Sequence, residues 1–404
     1  MANSSSFNKA KKAKSDEFYT QYDDIQKEIE AYLEYNHNTF RGKVVYCNCD
    51  DPFESNFFRY FVLNFNKLGL KQLITTSYKS SPIANTQLGL FGDDKTLTKS
   101  KGRPKVTANK FIINEVHDID DNGEFNLKDV AKQLKANKHN EWTPLDGDGD
   151  FRSEECVNLL KQSDIVITNP PFSLFREYVR QIFDHKKKFL IIANLNAITY
   201  KEIFTLIEGN KLWLGVSMDG RNKWFQVPDD YPVNDNVANS KIESGKKFLF
   251  VKGCVWFTNL DHGRRHQALP LMTKAEVIKF VTKKPFEKYD NYDAIEVSLV
   301  KNIPSDYKGV MGVPISFLNK YNPDQFKIVG LTSGRDEFGC KPSKKYTNPV
   351  QHNPNGSVSN GSKANTRATI ILDKVPPDIY YTADNANGPL SIVYARILIE
   401  HKKK

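Results

Sequence analysis

The sequence predicts an α/β fold built on a doubly wound, mostly parallel sheet with helices on both faces. Two observations support this prediction. Short apolar, β-branched runs alternate with helical patterns along most of the first 265 residues, and the 404-residue chain is 39% hydrophobic and 26% charged. This composition excludes a membrane span, a collagen-like chain and a fully disordered protein. Ligands of such sheets bind beyond the carboxyl ends of the strands.

The amino-terminal part of the fold begins with a helix, a strand and a second helix. The segment DIQKEIEAYLEY has apolar residues at helical spacing, including Ile25, Ile29 and Leu33, which predicts an amphipathic helix. Residues 43–49, KVVYCNC, are too short and too β-branched for a helix and predict a strand. A helical pattern returns at residues 55–68. The series therefore predicts a strand–turn–helix unit.

The same alternation recurs downstream. The runs KQLITTSY, SDIVITNPPF, KKFLIIANL and KLWLGVSM predict strands, and FREYVRQIFDH and YKEIFTLIEG predict helices. Two polar stretches interrupt this order within residues 79–145, which predicts a long surface insertion. Residues 266–404 are rich in Pro, Asn, Tyr and Lys, contain the low-complexity loop NPVQHNPNGSVSNGSKANT and end near the strand-like run SIVYARILI. We therefore expect a catalytic domain at 16–265 and a separate C-terminal region.

Charge and cysteine content narrow the class of protein. There are 58 Lys and Arg residues against 48 Asp and Glu, and the net charge of +10 favours a polyanionic partner over a merely soluble basic surface. Residues 1–15 place a lysine cluster among small polar residues, which predicts a mobile basic arm. Five cysteines without an apolar leader predict a reducing, cytoplasmic compartment with no disulfide framework. No second Cys or His pair stands at zinc spacing from Cys47 and Cys49, so we predict buried thiols and no metal.

The motif with the clearest chemistry follows a predicted strand. Residues 164–172 read DIVITNPPF, an apolar run that ends in Asn-Pro-Pro-aromatic. Because Pro170 and Pro171 fix φ and lack backbone donors, the carbonyls near Asn169 and Pro170 point into the cleft. Together with the Asn169 side chain they can accept both N–H bonds of an exocyclic amine, while Phe172 stacks on the ring. The alternative is that the two prolines only end a buried strand. This alternative explains the prolines but not Asn169 and Phe172 on either side of them.

This motif and its surroundings resemble the family of the EcoRI modification methylase, a family of S-adenosylmethionine-dependent adenine-N6 DNA methyltransferases. The likeness is carried by KSDEFYTQYDDI, KVVYCNCDDPFESNFFRYF, GDGDFRS, SDIVITNPPFSLFREYV, KKKFLIIANLNAITYKEIF, FQVPDDYP, VKGCVWFTNLD and GVMGVPISFLNKYNPDQF. It covers residues 12–78 and 146–330. The resemblance implies a Rossmann-like class I methyltransferase fold, with the catalytic residues Asn169, Pro170, Pro171 and Phe172 and with target recognition at 266–404.

The resemblance also implies an S-adenosylmethionine site made from three segments. Its expected contacts are Phe18, Tyr19 and Thr20 before the first strand, Cys49, Asp50 and Asp51 in the turn after that strand, and Asp148, Asp150 and Phe151 in GDGDF. The turn lacks the usual glycine-rich loop. A carboxylate there would form an ion pair with the cofactor's α-ammonium group. The alternative is an acidic cap for the following helix. No acidic residue ends the predicted second strand, so no ribose contact is assigned.

The remaining predicted contacts are with DNA. Lys11 and Lys12 in the arm, and Arg264 and Arg265 after the last catalytic strand, are predicted to contact phosphates, although a solvated loop would also explain the arginines. Phe225 is predicted to stack on the target base opposite Phe172, and core packing is the alternative.

Together with the motif, the resemblance implies a site-specific adenine-N6 methyltransferase of a restriction–modification system that acts on a flipped base in double-stranded DNA. The resemblance implies the target GAATTC, a bacterial or phage source, a monomer, no membrane association, and a cognate restriction endonuclease that is a functional but not a physical partner. One alternative is an RNA or protein-glutamine methyltransferase, because a glutamine amide presents the same planar NH2 group. The other is a non-catalytic DNA-binding relative.

Overall fold

A computed structural model describes residues 20–49, 55–77, 108–119, 125–136, 138–220, 223–227, 240–332 and 340–402. The predictions for the arm at 1–15 and for Lys11, Lys12, Phe18, Tyr19, Asp50 and Asp51 lie outside these residues. The chain divides into two units, one formed by 1–195 with 214–263 and the other by 196–213 with 264–404. No helix among the described residues is both long and apolar enough to cross a membrane.

An eight-stranded sheet forms the centre of the first unit. Its strands are β1 (Val44–Cys47), β2 (Gln72–Thr76), β3 (Asn109–Ile113), β4 (Glu141–Pro144), β5 (Ile165–Thr168), β6 (Lys188–Asn194), β7 (Trp213–Asp219) and β11 (Cys254–Thr258). They run in the order β4-β3-β2-β1-β5-β6-β11-β7. Every residue of β1 and β5 is buried, as the uninterrupted apolar runs of a central parallel pair require.

Helices accompany this sheet, and those at residues 22–35, 56–68 and 175–184 lie where the sequence patterns predict them. They are α1 (Tyr22–Tyr35), α2 (Asn56–Leu63), α3 (Phe65–Leu68), α4 (Leu127–Ala136), α5 (Glu154–Gln162) and α6 (Phe175–Asp184). The predicted helix at 55–68 is divided between α2 and α3 at Asn64. Ser55 begins α2 by accepting hydrogen bonds from the amides of Phe57 and Phe58, and Ser153 caps α5 in the same way.

The sheet is mixed, which corrects the prediction of a mostly parallel one. The strands β2, β1, β5 and β6 pair in parallel, whereas β3 pairs antiparallel with β2, β4 with β3, and β11 with β6. The described second half of the 79–145 segment is thus a sheet edge and not a surface loop, because β3 pairs with β2 from Leu73↔Ile113 to Thr76↔Lys110. Since β1 leads to β2 on one side and β5 to β6 on the other, the strand order reverses between β1 and β5.

A small antiparallel sheet completes the first unit. Its strands β8 (Lys223–Val227), β9 (Ser240–Glu243) and β10 (Lys246–Val251) run in the order β8-β10-β9.

The second unit contains two further sheets. The four-stranded one has the order β12-β13-β20-β14, from β12 (Ile295–Glu296), β13 (Met311–Pro314), β14 (Phe326–Leu331) and β20 (Arg396–His401). The five-stranded one has the order β16-β15-β18-β19-β17, from β15 (Val350–His352), β16 (Val358–Asn360), β17 (Thr369–Ile371), β18 (Tyr380–Thr382) and β19 (Leu390–Ile392). Its helices are α7 (Lys201–Glu208) and α8 (Lys274–Glu276), and α8 continues as a π-helix over Val277–Thr282.

Three expectations for these regions are corrected. The run SIVYARILI is not one strand, because β19 and β20 belong to different sheets and are separated by residues 393–395. The low-complexity loop contains the antiparallel pair β15 and β16, paired from Val350↔Asn360 to His352↔Val358. Residues 196–213 group with the second unit and not with the catalytic domain, since α7 contacts β14.

Candidate active site

The carboxyl ends of β1 and β5 meet where the strand order reverses, which is the usual ligand position in such sheets. The parallel register joins Val45 to Ile165 and Tyr46 to Val166. Beyond these pairs, the Thr168 hydroxyl donates a hydrogen bond to the backbone carbonyl of Asn48, and both residues are buried. Asn48 and the Asn-Pro-Pro-Phe motif therefore leave neighbouring strands side by side.

The Asn48 side chain also reaches the helix that follows the motif. Tyr178 on α6 is buried, and its hydroxyl donates to Oδ1 of Asn48. One buried amide residue thus joins the end of β1 to the end of β5 and to α6. Neither Asn48 nor Tyr178 is among the residues predicted from the sequence, although the position of Asn48 in the turn after a strand is a signal that could have identified it.

The Asn-Pro-Pro-Phe motif turns directly from strand to helix. Asn169 and Pro170 are buried, Pro171 and Phe172 are half-buried, and Phe172 packs against the main hydrophobic core. The turn is closed by the Leu174 amide, which donates to the carbonyl of Pro171 at 3.0 Å. The carbonyl assigned to the amine site belongs to Pro170, one residue earlier, so closure of the turn does not use it.

The segment before the first helix is packed against the start of α2. Thr20 is buried, and its carbonyl accepts a hydrogen bond from the side-chain amide of Asn56 at 2.8 Å. The Thr20 hydroxyl has no hydrogen-bond partner among the described residues. A buried hydroxyl without a partner is rare in folded proteins, which makes this position suited to a polar group of a ligand.

The turn after β1 is sharp. Cys49 is half-buried and has a φ of +63°, a left-handed conformation that non-glycine residues seldom adopt. Cys49 is therefore placed at the strand end, where the sequence analysis assigned a cofactor contact.

The GDGDF segment lies against the end of β2. Gly149 has a φ of +77°, and a Cβ atom there would stand 1.9 Å from the carbonyl oxygen of Ser77, just beyond β2. Only glycine permits this approach of two backbones. Asp148 is exposed, and its carboxylate accepts a hydrogen bond from the amide of Asp150 at 3.0 Å. The loop therefore stands next to the strand ends already described.

Two predicted cofactor contacts in this loop already have partners within the protein. The Asp150 carboxylate accepts hydrogen bonds from Nε and Nη2 of Arg152 at 2.8 and 2.6 Å, and this contact raises the pKa of the Arg152 guanidinium. Phe151 is buried and meets the Tyr178 ring edge to face, with 5.0 Å between centroids. The contact of Phe151 with the cofactor stays a prediction, and Tyr178 occupies part of the space beside the Phe151 ring.

Two predicted DNA contacts are not brought to the strand ends. Phe225 is buried in the main core, so its ring has no open face for a flipped base, and core packing explains it. Arg265 is only 7% exposed. Its guanidinium lies 3.6 Å from the ring centroid of Trp213 and donates to Oδ1 of Asn210 at 2.6 Å. The prediction of a phosphate contact for Arg265 is therefore wrong, whereas half-buried Arg264 keeps that prediction.

Clusters of metal-ligating side chains do not occur in the described part of the chain. Within those ranges no group of three or more His, Cys, Asp or Glu side chains could hold a metal ion.

Comparisons with known proteins identify relatives along nearly the whole chain. The family described as "Adenine-specific methyltransferase EcoRI" matches residues 6–402. Type II methyltransferase M.EcoRI of Escherichia coli is 47% identical over 330 residues, which are 81% of this chain and 90% of that protein. Type II methyltransferases M.MgeORF184P of Mycoplasma genitalium and M.MpnI of Mycoplasma pneumoniae are each 37% identical over 324 residues. Those residues are 80% of this chain and 85% and 84% of the two relatives, respectively. No solved structure matches the chain.

Proposed function

We propose, from the premise that this chain belongs to the EcoRI family of adenine-specific methyltransferases, that Asn169 and Pro170 hold the reacting amine of the target adenine. The chain is a DNA adenine methyltransferase of the restriction–modification type. The observation that carries the proposed site is the pair of adjacent strand ends, where Asn48 joins the end of β5 to β1 and α6.

The side-chain carbonyl of Asn169 and the backbone carbonyl of Pro170 are the proposed acceptors for the two N–H bonds of the adenine amino group. Two acceptors that bind both hydrogens direct the nitrogen lone pair away from themselves and toward an electrophile. The ring must leave the duplex to reach this turn, because atoms inside a base stack are inaccessible to enzymes. Phe172 is half-buried and is the proposed stacking face.

S-adenosylmethionine is the proposed methyl donor, and when bound it supplies a methyl group activated by the sulfonium centre. The residues beside the strand ends provide some of the polar contacts that such a molecule needs. The buried Thr20 hydroxyl can bond a polar group, and the close approach of Gly149 to Ser77 leaves the exposed Asp148 at the same edge. Asp150 would contact the cofactor while its carboxylate remains paired with Arg152. Asp50 and Asp51 keep their assignment from the sequence alone.

The protein's part in the reaction is then positioning. Residues on rigid strand ends hold the base and keep the amine in line with the donor. This positioning supplies a large share of the rate enhancement in a group transfer. Buried Asn48 and Tyr178 keep the turn in place before substrate arrives. We further propose GAATTC as the target, a monomer as the active form, and no physical contact with a partner nuclease.

Transfer of labelled methyl groups tests this function. The chain is incubated with labelled S-adenosylmethionine and, separately, with duplex DNA containing GAATTC, with an RNA duplex of the same sequence, and with a glutamine-containing peptide. We expect label in N6-methyladenine of the DNA alone. Label in the RNA or the peptide would contradict the proposed substrate, and cofactor binding without any transfer would identify a non-catalytic relative.

A further inference from the structure

One stretch of the second unit is basic throughout. Residues 340–372 contain five Lys or Arg residues and no Asp or Glu, whereas the whole 404-residue chain has a net charge of +10. This stretch therefore carries a local charge of +5. It includes the hairpin of β15 and β16, which we call the 350–360 hairpin. β16 forms one edge of the five-stranded sheet.

The turn of the 350–360 hairpin is built by its own side chains. The side-chain amide of Asn353 donates to the carbonyl and hydroxyl oxygens of Ser357, both at 3.1 Å. Oδ1 of Asn355 accepts from the amide and hydroxyl of Ser357, at 3.0 and 2.6 Å. Gly356 supplies the left-handed residue, with a φ of +78°. These contacts hold the exposed tip in one conformation, so little ordering entropy would be lost when it binds.

The inner strand of the hairpin is anchored to the sheet. The Tyr381 hydroxyl donates to the Gln351 side chain at 2.8 Å. The rings of His352 and Tyr380 stack with 4.5 Å between centroids and 5° between planes. A bond of 2.9 Å joins Nε2 of His352 to the Thr382 hydroxyl. The hairpin is therefore a fixed two-stranded ribbon on a packed base.

The outer strand of the hairpin, β16, exposes both apolar and polar side chains. Val358, Ser359 and Asn360 are all exposed, and Val358 is 62% exposed although it is apolar. Val358 and Asn360 lie on the same face, since side chains two residues apart in a strand do so. Oδ1 of Asn360 accepts from the Ser362 amide at 2.8 Å, which orients the side chain and leaves its NH2 group and the second lone pair of Oδ1 for another partner.

We propose that the 350–360 hairpin enters the major groove of the target DNA and reads A·T base pairs through Val358 and Asn360. The inference rests on the proposed function. The major groove admits a two-stranded ribbon, an Asn amide pairs with N6 and N7 of adenine, and an apolar side chain covers the methyl group of thymine. The strand rise of about 3.3 Å per residue nearly equals the base-pair rise of about 3.4 Å, so the two side chains would lie about two steps apart. The absence of carboxylates from this stretch avoids repulsion of the phosphates.

Base analogues test the proposal atom by atom. The target is first identified by sequencing DNA methylated by the parent protein. Duplexes with that target then carry deoxyuridine for one thymine, which removes the methyl group, or 7-deazaadenine for one adenine, which removes N7. We measure kcat/KM for the parent, Val358→Ala and Asn360→Ala on each duplex. Val375→Ala is the matched control, because Val375 is 60% exposed in the same unit.

We expect one deoxyuridine position to lower kcat/KM of the parent and of the control but not of Val358→Ala. One 7-deazaadenine position should likewise affect every protein except Asn360→Ala. Asn360→Ala should also discriminate against a wrong base pair about tenfold less well than the parent, because one bidentate contact contributes about 1–3 kcal/mol. Equal thermal unfolding of all variants excludes a folding defect.

The proposal is overturned if both variants respond to every analogue as the parent does. Loss of methylation that is equal on cognate and altered duplexes would also overturn it, because a contact with no preference among bases does not read sequence. A parent protein that methylates no duplex would instead refute the proposed function, and this inference with it.

Discussion

At the scale of single residues, Asn48 makes the ends of β1 and β5 one rigid surface. Its backbone carbonyl and side-chain carbonyl receive the hydroxyl hydrogens of Thr168 and Tyr178, and all three residues are buried. A buried acceptor that loses its donor costs about 1–3 kcal/mol. The position of the proposed amine-binding turn therefore depends on a bond between residues that are 130 positions apart in the sequence.

Tyr178→Phe removes one of these donors and keeps the ring. We expect the free energy of unfolding to fall by about 1–3 kcal/mol and kcat for methyl transfer to fall as well, because the Asn48 acceptor is left without its donor. Urea denaturation and single-turnover kinetics measure the two effects. Tyr394→Phe, at a side chain that is 87% exposed, is the control. If Tyr178→Phe were as stable and as active as Tyr394→Phe, the role given to this bond would be wrong.

Gly149→Ala tests the approach of the GDGDF loop to β2. The new Cβ atom would stand 1.9 Å from the Ser77 carbonyl at a φ of +77°, so the loop must move away. We expect weaker binding of S-adenosylmethionine, measured by isothermal titration calorimetry. Gly147→Ala is the matched control in the same loop, because nothing lies within 4 Å of its Cβ position. Unchanged affinity in Gly149→Ala would place the cofactor elsewhere.

At this scale, a sequence pattern can predict only contacts between residues that are adjacent in the sequence. The run from Asn169 to Phe172 is contiguous, so its turn chemistry can be predicted from the sequence. Partners distant in the sequence cannot be identified in this way, which is why Asn48 and Tyr178 were overlooked. For the same reason, nothing in the sequence near Arg265 indicates that its charge meets Trp213 and Asn210.

At the scale of elements, α1 protects an edge of the large sheet. β7 is the last strand in the order, and Glu28 on α1 is fully buried beside it. The Glu28 carboxylate accepts hydrogen bonds from the amides of Val216 and Ser217, the closest being 2.9 and 2.5 Å. Gly215 permits this approach, since a Cβ atom there would stand 2.2 Å from the carboxylate. An edge strand whose amides are occupied is less able to pair with another chain.

The Glu28 carboxylate also makes stability depend on pH. Burial raises the pKa of Glu28 above its ordinary value of 4.5, although the two backbone amides partly oppose this. Because folding favours the protonated form, its stabilising contribution is complete below pH 4.5 and is lost as pH rises through the raised folded-state pKa. The ionised carboxylate therefore makes the folded protein less stable than the protonated carboxyl does.

Glu28→Gln removes this titration and keeps the shape of the side chain. We expect the free energy of unfolding of the parent, relative to Glu28→Gln, to decrease from pH 4.5 upward and to level off above the raised pKa. Guanidinium titrations of both proteins across this range measure it. A difference that stays constant with pH would show that Glu28 has the same pKa in the folded and unfolded states.

Buried strands can be predicted from the sequence pattern, whereas an exposed strand cannot. β1 and β5 are buried throughout, so their apolar runs are visible without knowledge of the fold. By contrast, β16 is exposed throughout, and its Asn, Ser and Gly neighbours are typical of loops. Its strand geometry comes from pairing with β15 and from a turn closed by side chains, which hydrophobic periodicity does not report.

At the scale of the whole molecule, the net charge of +10 predicts how binding to DNA depends on salt. The first 14 residues include Lys9, Lys11, Lys12 and Lys14 and no acidic residue. Each phosphate that a lysine neutralises contributes about −0.9 to the slope of log affinity against log salt concentration. Deletion of residues 1–14 should therefore flatten this slope and leave the recognised sequence unchanged, because phosphate contacts do not read bases.

Fluorescence anisotropy of a labelled duplex across a range of salt concentrations gives both slopes. The control is the full-length chain with Lys374→Ala, which removes one exposed charge from the second unit. A deletion variant with the slope of the full chain would show that the arm does not contact phosphates. A deletion variant with a changed target would show that the arm reads bases.

The two units also divide the chemistry of the whole molecule. The proposed amine-binding turn lies in the first unit, and the proposed base-reading hairpin lies in the second. This division agrees with the charge distribution, because residues 196–213 and 264–404 contain 24 Lys and Arg against 15 Asp and Glu and so carry +9 of the net charge of +10. Sequence composition alone indicated a change of character near residue 266, but it did not show that residues 196–213 join the second unit.

The most direct test of the account is Asn169→Ala, assayed for methyl transfer and cofactor binding in parallel. We expect kcat to fall by about 100-fold or more, because one preorganised polar contact at a reacting centre has about that effect. The dissociation constant for S-adenosylmethionine should stay within a few fold, and Asn158→Ala, at an exposed position of α5, should behave as the parent does. Equal loss of cofactor affinity and of rate, or retained transfer, would contradict the claim that Asn169 holds the target amine.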